Sequence, residues 1–172
     1  MKIDLIPIWE ADLNAVKGLF DSIPPRTNGF ENRGHGKSED EFAEFVRKAR
    51  NESEGIGLPE GYVPSSLFVL FVDGVPVGFS KLRYRLTPAL EKHGGHIGYG
   101  LAEEFFGRGY GTIILAETLK EARKIGLKNV LLTVNDGNIP SWKVIERNGG
   151  ILEKTEADSN DGQLSRFYWI EL

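Results

Sequence analysis

A glycine-rich loop joins a strand-like stretch to a helix-like stretch in the second half of the chain. Residues 101–112 read LAEEFFGRGYGT and include Gly107, Gly109 and Gly111. Glycine lets the backbone adopt positive φ angles and approach a ligand closely. The first amides of the helix that follows have no partner within the helix and lie at its positive end. The loop is therefore typical of a phosphate-binding site, and Arg108 adds a permanent positive charge.

The composition is that of a globular protein without disulfides. The chain has 172 residues, of which 40% are apolar and 27% charged, and a formal net charge of −4. We expect one domain over residues 1–172. The negative charge predicts no nucleic-acid partner, and no apolar run is long enough to predict a membrane span. The absence of cysteine excludes thiolate metal sites, and no metal is predicted. The first segment lacks the apolar core of a signal peptide, which favours the cytoplasm.

The spacing of apolar residues predicts strands and helices in alternation. A hairpin is expected where Asp73-Gly74 separates two β-rich runs, and Ser38 and Glu41 are typical of a helix-starting capping box. The expected strands cover about 3–8, 67–72, 75–84, 96–102, 130–134, 151–153 and 167–172, and the expected helices about 13–20, 38–49, 109–126 and 138–148, with loops over 21–37 and 51–66.

Two other phosphate-binding motifs fit the glycine loop poorly. A P-loop ends in Gly-Lys-Ser/Thr, whereas here Gly111 is followed directly by Thr112. A dinucleotide fingerprint requires Gly-x-Gly-x-x-Gly, and the spacing of Gly107, Gly109 and Gly111 does not supply it. The residues alone thus predict a strand, a turn of amides and a helix N-terminus. An enzyme for another phosphate cofactor stays open as an alternative.

From residue 106 onward the sequence resembles the GNAT superfamily of N-acetyltransferases. The family's pyrophosphate loop reads Arg/Gln-x-x-Gly-x-Gly/Ala, and residues 106–111 here read FGRGYG. The match continues through 112–124 and into 138–149, NIPSWKVIERNG, which is similar to the family's Asn-x-x-Ala/Ser segment. The resemblance implies an α/β (α+β) fold with a mixed, mainly antiparallel central sheet flanked by helices. Its central strands, here 96–102 and 130–134, would be splayed apart.

The resemblance also implies acetyl-CoA as the cosubstrate and suggests which residues hold it. Backbone groups of Leu101 and Glu103 would pair with the pantetheine arm as an added strand does. Asn138 would hydrogen-bond the pantetheine or the acetyl-bearing end. From its own chemistry, Ser141 is a candidate to bond the cofactor or the thiolate, and the alternative is that it only caps a helix. The expected ligands of the diphosphate are the loop residues Gly107, Arg108, Gly109, Tyr110, Gly111 and Thr112.

Acetyl transfer to an amine requires a route for the proton that the amine loses. His96 stands where many family members place a glutamate, and histidine titrates near neutral pH, so His96 is the candidate base. The alternative is that His96 only caps the strand or packs beneath the loop. Glu103 and Glu104 are further candidates, although their place at the loop mouth is typical of surface acids.

Two positions depart from the family pattern. Phe106 stands where Arg or Gln is usual, and Ile145 stands where many members carry a tyrosine that protonates the departing thiolate. Tyr99 is a candidate for either the core or a proton donor. We expect an enzyme that transfers acetyl from acetyl-CoA to a primary amine of a small molecule or peptide. The alternative is a non-catalytic acyl-CoA-binding or regulatory module, and a homodimer is left open.

Overall fold

The computed structural model describes residues 1–27, 30–159 and 161–172. Nine strands and five α-helices alternate along these ranges. The strands are β1 (Ile3–Pro7), β2 (Arg26–Thr27), β3 (Phe30–Glu31), β4 (Ser65–Val72), β5 (Val75–Arg83), β6 (Ile97–Leu101), β7 (Asn129–Asn135), β8 (Ile151–Ala157) and β9 (Leu164–Glu171). The helices are α1 (Leu13–Ser22), α2 (Glu39–Ser53), α3 (Pro88–Lys92), α4 (Tyr110–Lys124) and α5 (Ile139–Arg147).

The first half of the chain forms a four-stranded antiparallel sheet in the order β1-β4-β5-β6. The β4–β5 hairpin turns at Asp73 and Gly74, whose φ angles are 49° and 80°. Two successive positive φ angles match the right-handed twist of the strands, which is why Asp-Gly favours this turn. The predicted hairpin is confirmed.

The second half forms a separate three-stranded antiparallel sheet in the order β7-β9-β8. The inner edges of the two sheets, β6 and β7, face each other without a strand ladder between them in the described ranges. They are held together where the backbone amide of His96 donates to the carbonyl of Leu131 at 2.8 Å. The predicted mixed fold with an antiparallel sheet, flanking helices and parted central strands is confirmed.

Helices cover both faces of the first sheet. We call front the face on which α1 and α2 lie, where Val69 and Phe79 pack against Phe20 and Phe42. The rings of Phe20 and Phe79 stack at 4.3 Å. On the opposite, back face, α4 and α5 bury an apolar cluster that includes Leu82, Ile97, Leu115, Leu119, Leu132, Ile145, Tyr168 and Ile170. Burial of these two clusters is the main stabilising contribution to the fold.

The structure departs from the sequence prediction in the loop over 21–37. The short strands β2 and β3 pair there, and the ring of Phe30 lies on the front of β6. A Cβ atom added to Gly98 would lie 2.6 Å from that ring, so only glycine permits this contact. Strand β8 also extends beyond the predicted 151–153. Within the described ranges, no helix combines the length and apolar character that crossing a membrane requires.

Candidate cofactor-binding and active site

The glycine loop adopts the conformation that its composition predicts. Gly107 and Gly109 have φ angles of 73° and 83°, a left-handed region that strains other residues. Gly109 is the N-cap of α4, and no side chain caps this helix end. A Cβ atom at either glycine would meet no atom within 4 Å, so the loop surface is open on that side.

The amides of this loop are available to a ligand. In the described part of the chain, the five backbone N–H groups of residues 107–111 donate to no protein acceptor. The N–H groups of Thr112 and Ile113 instead donate to the Gly109 carbonyl at 3.1 and 3.3 Å. A helix end with unpaired donors and positive dipole favours an anion. The loop can therefore offer five amides to a diphosphate, while the amide of Thr112 is already engaged.

Other loop residues have separate roles. Gly111 faces α5, where an added Cβ atom would lie 3.2 Å from Val144, so it sets the close approach of α4 and α5. Arg108 is exposed, with its guanidinium carbon 5.6 Å from the centre of the Phe105 ring. Phe106 is 58% exposed, so its ring is free to contact a bound ligand, although it cannot donate to phosphate.

The predicted pantetheine contacts lie around the gap between the two sheets. Leu101 ends β6, where it pairs with Gly78 of β5, and Glu103 begins a short 3-10 helix that leads into the loop. Asn138 is the N-cap of α5, with its Oδ1 atom 3.4 Å from the Ser141 amide. The Asn138 side chain is thus partly committed to its own helix. The cofactor roles of these residues stay predictions.

A pair of hydroxyl groups links β6 to α5. Tyr99 and Ser141 place their side-chain oxygens 2.9 Å apart, and the Tyr99 hydroxyl also lies 3.3 Å from the Ser141 carbonyl. Burial raises the pKa of Tyr99 to about 12, so the phenol holds its proton at neutral pH. The sequence named both residues as candidates but did not predict that they meet. Their separation of 42 positions leaves no local signal for the contact.

Ile145 is not placed to act on a ligand. Its side chain is 1% exposed and belongs to the back-face core. A Cβ atom added to Gly150 would lie 2.4 Å from Ile145, so the end of α5 closes tightly over this side chain. A tyrosine at position 145 would require the core to repack. In place of that tyrosine, the Tyr99 and Ser141 hydroxyls offer hydrogen-bond donors near α5.

His96 joins the two sheets through its side chain as well as its backbone. Its Nδ1 atom accepts a hydrogen bond from the Leu131 amide at 2.9 Å, and the residue is 5% exposed. The neutral ring therefore carries its proton on Nε2 and has no free lone pair. Burial, followed by the charge of Arg83, lowers the pKa of His96 to about 4. This geometry does not support the expected role of base, and we assign His96 a structural role.

A sheet split between two edge strands, with free amides at the adjoining helix start, is an α/β arrangement that can accommodate a phosphate group beside the gap. The model of the Acetyltransferase (GNAT) family matches residues 31–150, well over half of the chain. The chain belongs to the GNAT acetyltransferase family.

Solved structures share this fold over nearly the whole chain. RimL, a ribosomal L7/L12 alpha-N-protein acetyltransferase in complex with coenzyme A, superposes with a TM-score of 0.72 at 18% identity, covering 100% of this chain and 95% of that one. YncA, a putative acetyltransferase from Salmonella typhimurium with acetyl-CoA, gives 0.65 at 13% identity, with 99% and 94% covered.

A third solved structure extends the comparison to an enzyme named for a polyamine. A chimera of the spermidine N-acetyltransferase SpeG from Vibrio cholerae and hSSAT gives a TM-score of 0.67 at 15% identity, covering 99% of this chain and 96% of that one. No curated protein matches the sequence. At these identities the likeness to solved structures establishes the fold alone.

Replacement of Gly109 by alanine tests the loop, with Gly126→Ala as the matched control. Both glycines have positive φ angles and open space where a Cβ atom would lie, but Gly126 lies beyond the C-terminal end of α4. Each change is expected to lower the free energy of unfolding by about 1 kcal/mol. Only Gly109→Ala is expected to weaken coenzyme A binding measured by calorimetry, by about tenfold. Equal affinities of the two variants for coenzyme A would contradict the assignment of the glycine loop as the diphosphate-binding site.

Replacement of His96 separates its structural role from a catalytic one. We expect His96→Ala to lower the free energy of unfolding at pH 7 by about 3 kcal/mol, because the Leu131 amide is left unpaired in a cavity. His96→Asn retains an acceptor near the Nδ1 position and should recover part of that loss. Urea unfolding measures both changes. If His96→Asn turns over within a few-fold of wild type, the structural role is supported. If a folded His96→Asn protein loses turnover, His96 acts as the catalytic base and the structural role alone is contradicted.

The same histidine makes stability depend on pH. Because the pKa of His96 is about 4 in the folded protein and 6.5 when unperturbed, the unfolded chain binds more protons between these values. The stabilisation is fully present above pH 6.5 and is lost as the pH falls to 4, by about 3 kcal/mol in all. His96→Asn should remove this part of the pH dependence in urea unfolding at pH 7 and pH 5. An unchanged difference between the two pH values would contradict the assignment.

Proposed function

We propose that this protein transfers an acetyl group from acetyl-CoA to a primary amine. The observation that carries the proposal is the run of five unpaired amides in residues 107–111, which ends at the gap between β6 and β7. Membership of the GNAT acetyltransferase family supports acyl transfer. Two solved structures with the same fold contain coenzyme A or acetyl-CoA.

The diphosphate of acetyl-CoA would bind the amides of the glycine loop, with Arg108 as an exposed counter-charge. An extended pantetheine arm carries amide groups that a free strand edge can satisfy. The facing edge of β6, ending at Leu101, is the proposed partner of that arm, with Glu103 at its outer end. Asn138 and Ser141, on the first turn of α5, would lie near the thioester. Bound acetyl-CoA supplies the activated acyl group.

In the reaction, the neutral amine attacks the thioester carbon, the new C–N bond forms and the C–S bond breaks. The departing thiolate carries the electron pair, and the amine releases one proton. We propose that the Ser141 hydroxyl donates a hydrogen bond to that thiolate, while Tyr99 donates to the Ser141 oxygen and so orients it. Water is the proposed acceptor of the amine proton, because the lone pair of His96 Nδ1 is occupied.

The proposed acceptor is a primary amine of a small molecule or of a peptide. RimL is named for a ribosomal protein and SpeG for spermidine, so the shared fold accommodates both macromolecular and small amines. The cytoplasm is the proposed location. A non-catalytic acyl-CoA-binding module is the second candidate, favoured by the burial of Ile145 and by the absence of a polar side chain at Phe106.

The test is release of free coenzyme A thiol from acetyl-CoA in the presence of a panel of primary amines. We expect thiol release that depends on an amine, and an acetylated product by mass spectrometry. Tyr99→Phe should lower kcat by about tenfold with little change in cofactor affinity, since it removes the hydrogen bond that orients the Ser141 hydroxyl toward the forming thiolate. Tight binding of acetyl-CoA with no thiol released across the panel would favour the binding module.

A further inference from the structure

Three cationic side chains converge on the front of the first sheet. Lys81 and Arg83 are two positions apart on β5 and therefore lie on the same face of the strand. Arg33, from the segment after β3, lies close enough to lower the pKa of both groups. Burial is the largest cause of each lowered pKa, so Lys81 and Arg83 are held largely out of water.

The protein does not neutralise this cluster fully. Arg33 pairs with Glu31 at 3.1 Å and donates to the Tyr62 hydroxyl at 2.7 Å. Lys81 lies 3.6 Å from Glu52, a distance longer than a good charged hydrogen bond.

Arg83 contacts no carboxylate in the described ranges. Its Nη1 atom lies 3.3 Å from the carbonyl oxygens of Gly94 and Gly95, which are neutral acceptors. Three cations thus face two carboxylates, Glu31 and Glu52. A positive charge largely out of water is costly unless an anion compensates it.

A cleft leads from the surface to this cluster. Its volume is about 360 Å³, it lies between α2 and the front of β4 and β5, and Arg33 and Lys81 are among its lining residues. The cleft lining carries four cations and three carboxylates, of which Glu44 is paired with Arg47 and Glu41 accepts a hydrogen bond from the Ser38 amide. The net positive charge of these lining side chains also favours an anion.

The cationic cluster lies beside the proposed reaction gap. Lys81 is the cross-strand partner of Gly98, and the Arg83 amide donates to the His96 carbonyl at 2.7 Å. Neighbouring strands are separated by about 4.8 Å, so the backbones of both residues lie within about 10 Å of the gap beyond β6. One small amine, or one terminal residue of a peptide, is long enough to span this distance.

We propose that the acceptor is an amine that also carries an anionic group, a carboxylate or phosphate, which Lys81 and Arg83 bind while the amine reaches past the Phe30 ring into the gap between β6 and β7. This inference rests on the proposed acetyl transfer and names the substrate class for it. A linear polyamine, which is positive at both ends, would be repelled by the same side chains.

The arrangement also explains how the amine can lose its proton to water when no side chain is proposed to accept it. A cationic surrounding disfavours the ammonium form of the acceptor and lowers the pKa of its amine. The anionic group anchors the molecule against the cluster, so the amine can lose its proton to water. One set of side chains therefore selects the acceptor and prepares its nitrogen for attack.

The experiment compares amino acids and dipeptides with their own carboxamides, which differ only in the anionic group. Thiol release from acetyl-CoA and calorimetric binding to the coenzyme A-loaded protein are both measured. We expect the carboxylate form to exceed its carboxamide by at least about tenfold in kcat/KM and in affinity. A linear diamine should be a poorer acceptor than the carboxylate compounds.

Lys81→Met and Arg83→Met provide the variants, and Lys120→Met on the exposed back side of α4 provides the control. Unchanged affinity for coenzyme A verifies that each variant is folded. Loss of the carboxylate preference in the first two variants, and its retention in Lys120→Met, would support the inference. Equal or better binding of carboxamides or diamines, or a preference unchanged by both substitutions, would overturn it. Carboxylate binding without thiol release would support the anion site and reject acetyl transfer.

Discussion

The break in the sheet between β6 and β7 is the constraint on which the rest of the molecule depends. Hydrogen bonds hold the parted edges together over a short stretch, two between His96 and Leu131 and one from the Gly94 amide to Thr133 Oγ1 at 2.9 Å. In one of them the imidazole Nδ1 takes the place that a backbone carbonyl has in a continuous ladder. The ring both fills space and accepts a hydrogen bond, so the strands meet there without pairing along their length.

A gap of this kind leaves backbone groups on β6 free and places them near the amides of the glycine loop. The two features are complementary to one extended ligand, a diphosphate with an amide-bearing arm. Gly107 and Gly109 keep the loop open, whereas Gly111 brings α4 against α5. The same few glycines therefore fix both the binding surface and the packing beneath it.

Much of the fold could be predicted from local patterns. Asp73-Gly74 and the capping residues Ser38 and Glu41 determine structure through their own backbone, and the structure shows the expected turn and cap. The glycine loop and the helix that follows were likewise accessible, because positive φ angles and helix starts have sequence signals. The family resemblance then implied a mainly antiparallel sheet whose central strands are splayed.

The contacts that decide the chemistry could not be predicted in the same way. The bond between Tyr99 and Ser141 and the bond between His96 and Leu131 join segments far apart in sequence. Whether His96 is a base or a structural acceptor depends on which atom meets Nδ1, and no pattern in one strand contains that information. The cluster of Lys81, Arg83 and Arg33 is likewise assembled by the sheet and the loop together.

The most direct test of the account is hydrogen exchange at the individual amides of residues 107–111, with and without coenzyme A. The account predicts that saturating coenzyme A slows exchange at these amides by at least about tenfold, because the diphosphate accepts their hydrogen bonds. Pantetheine, which lacks the diphosphate, should not slow them. Unchanged exchange in the loop while coenzyme A protects amides elsewhere would contradict the central claim.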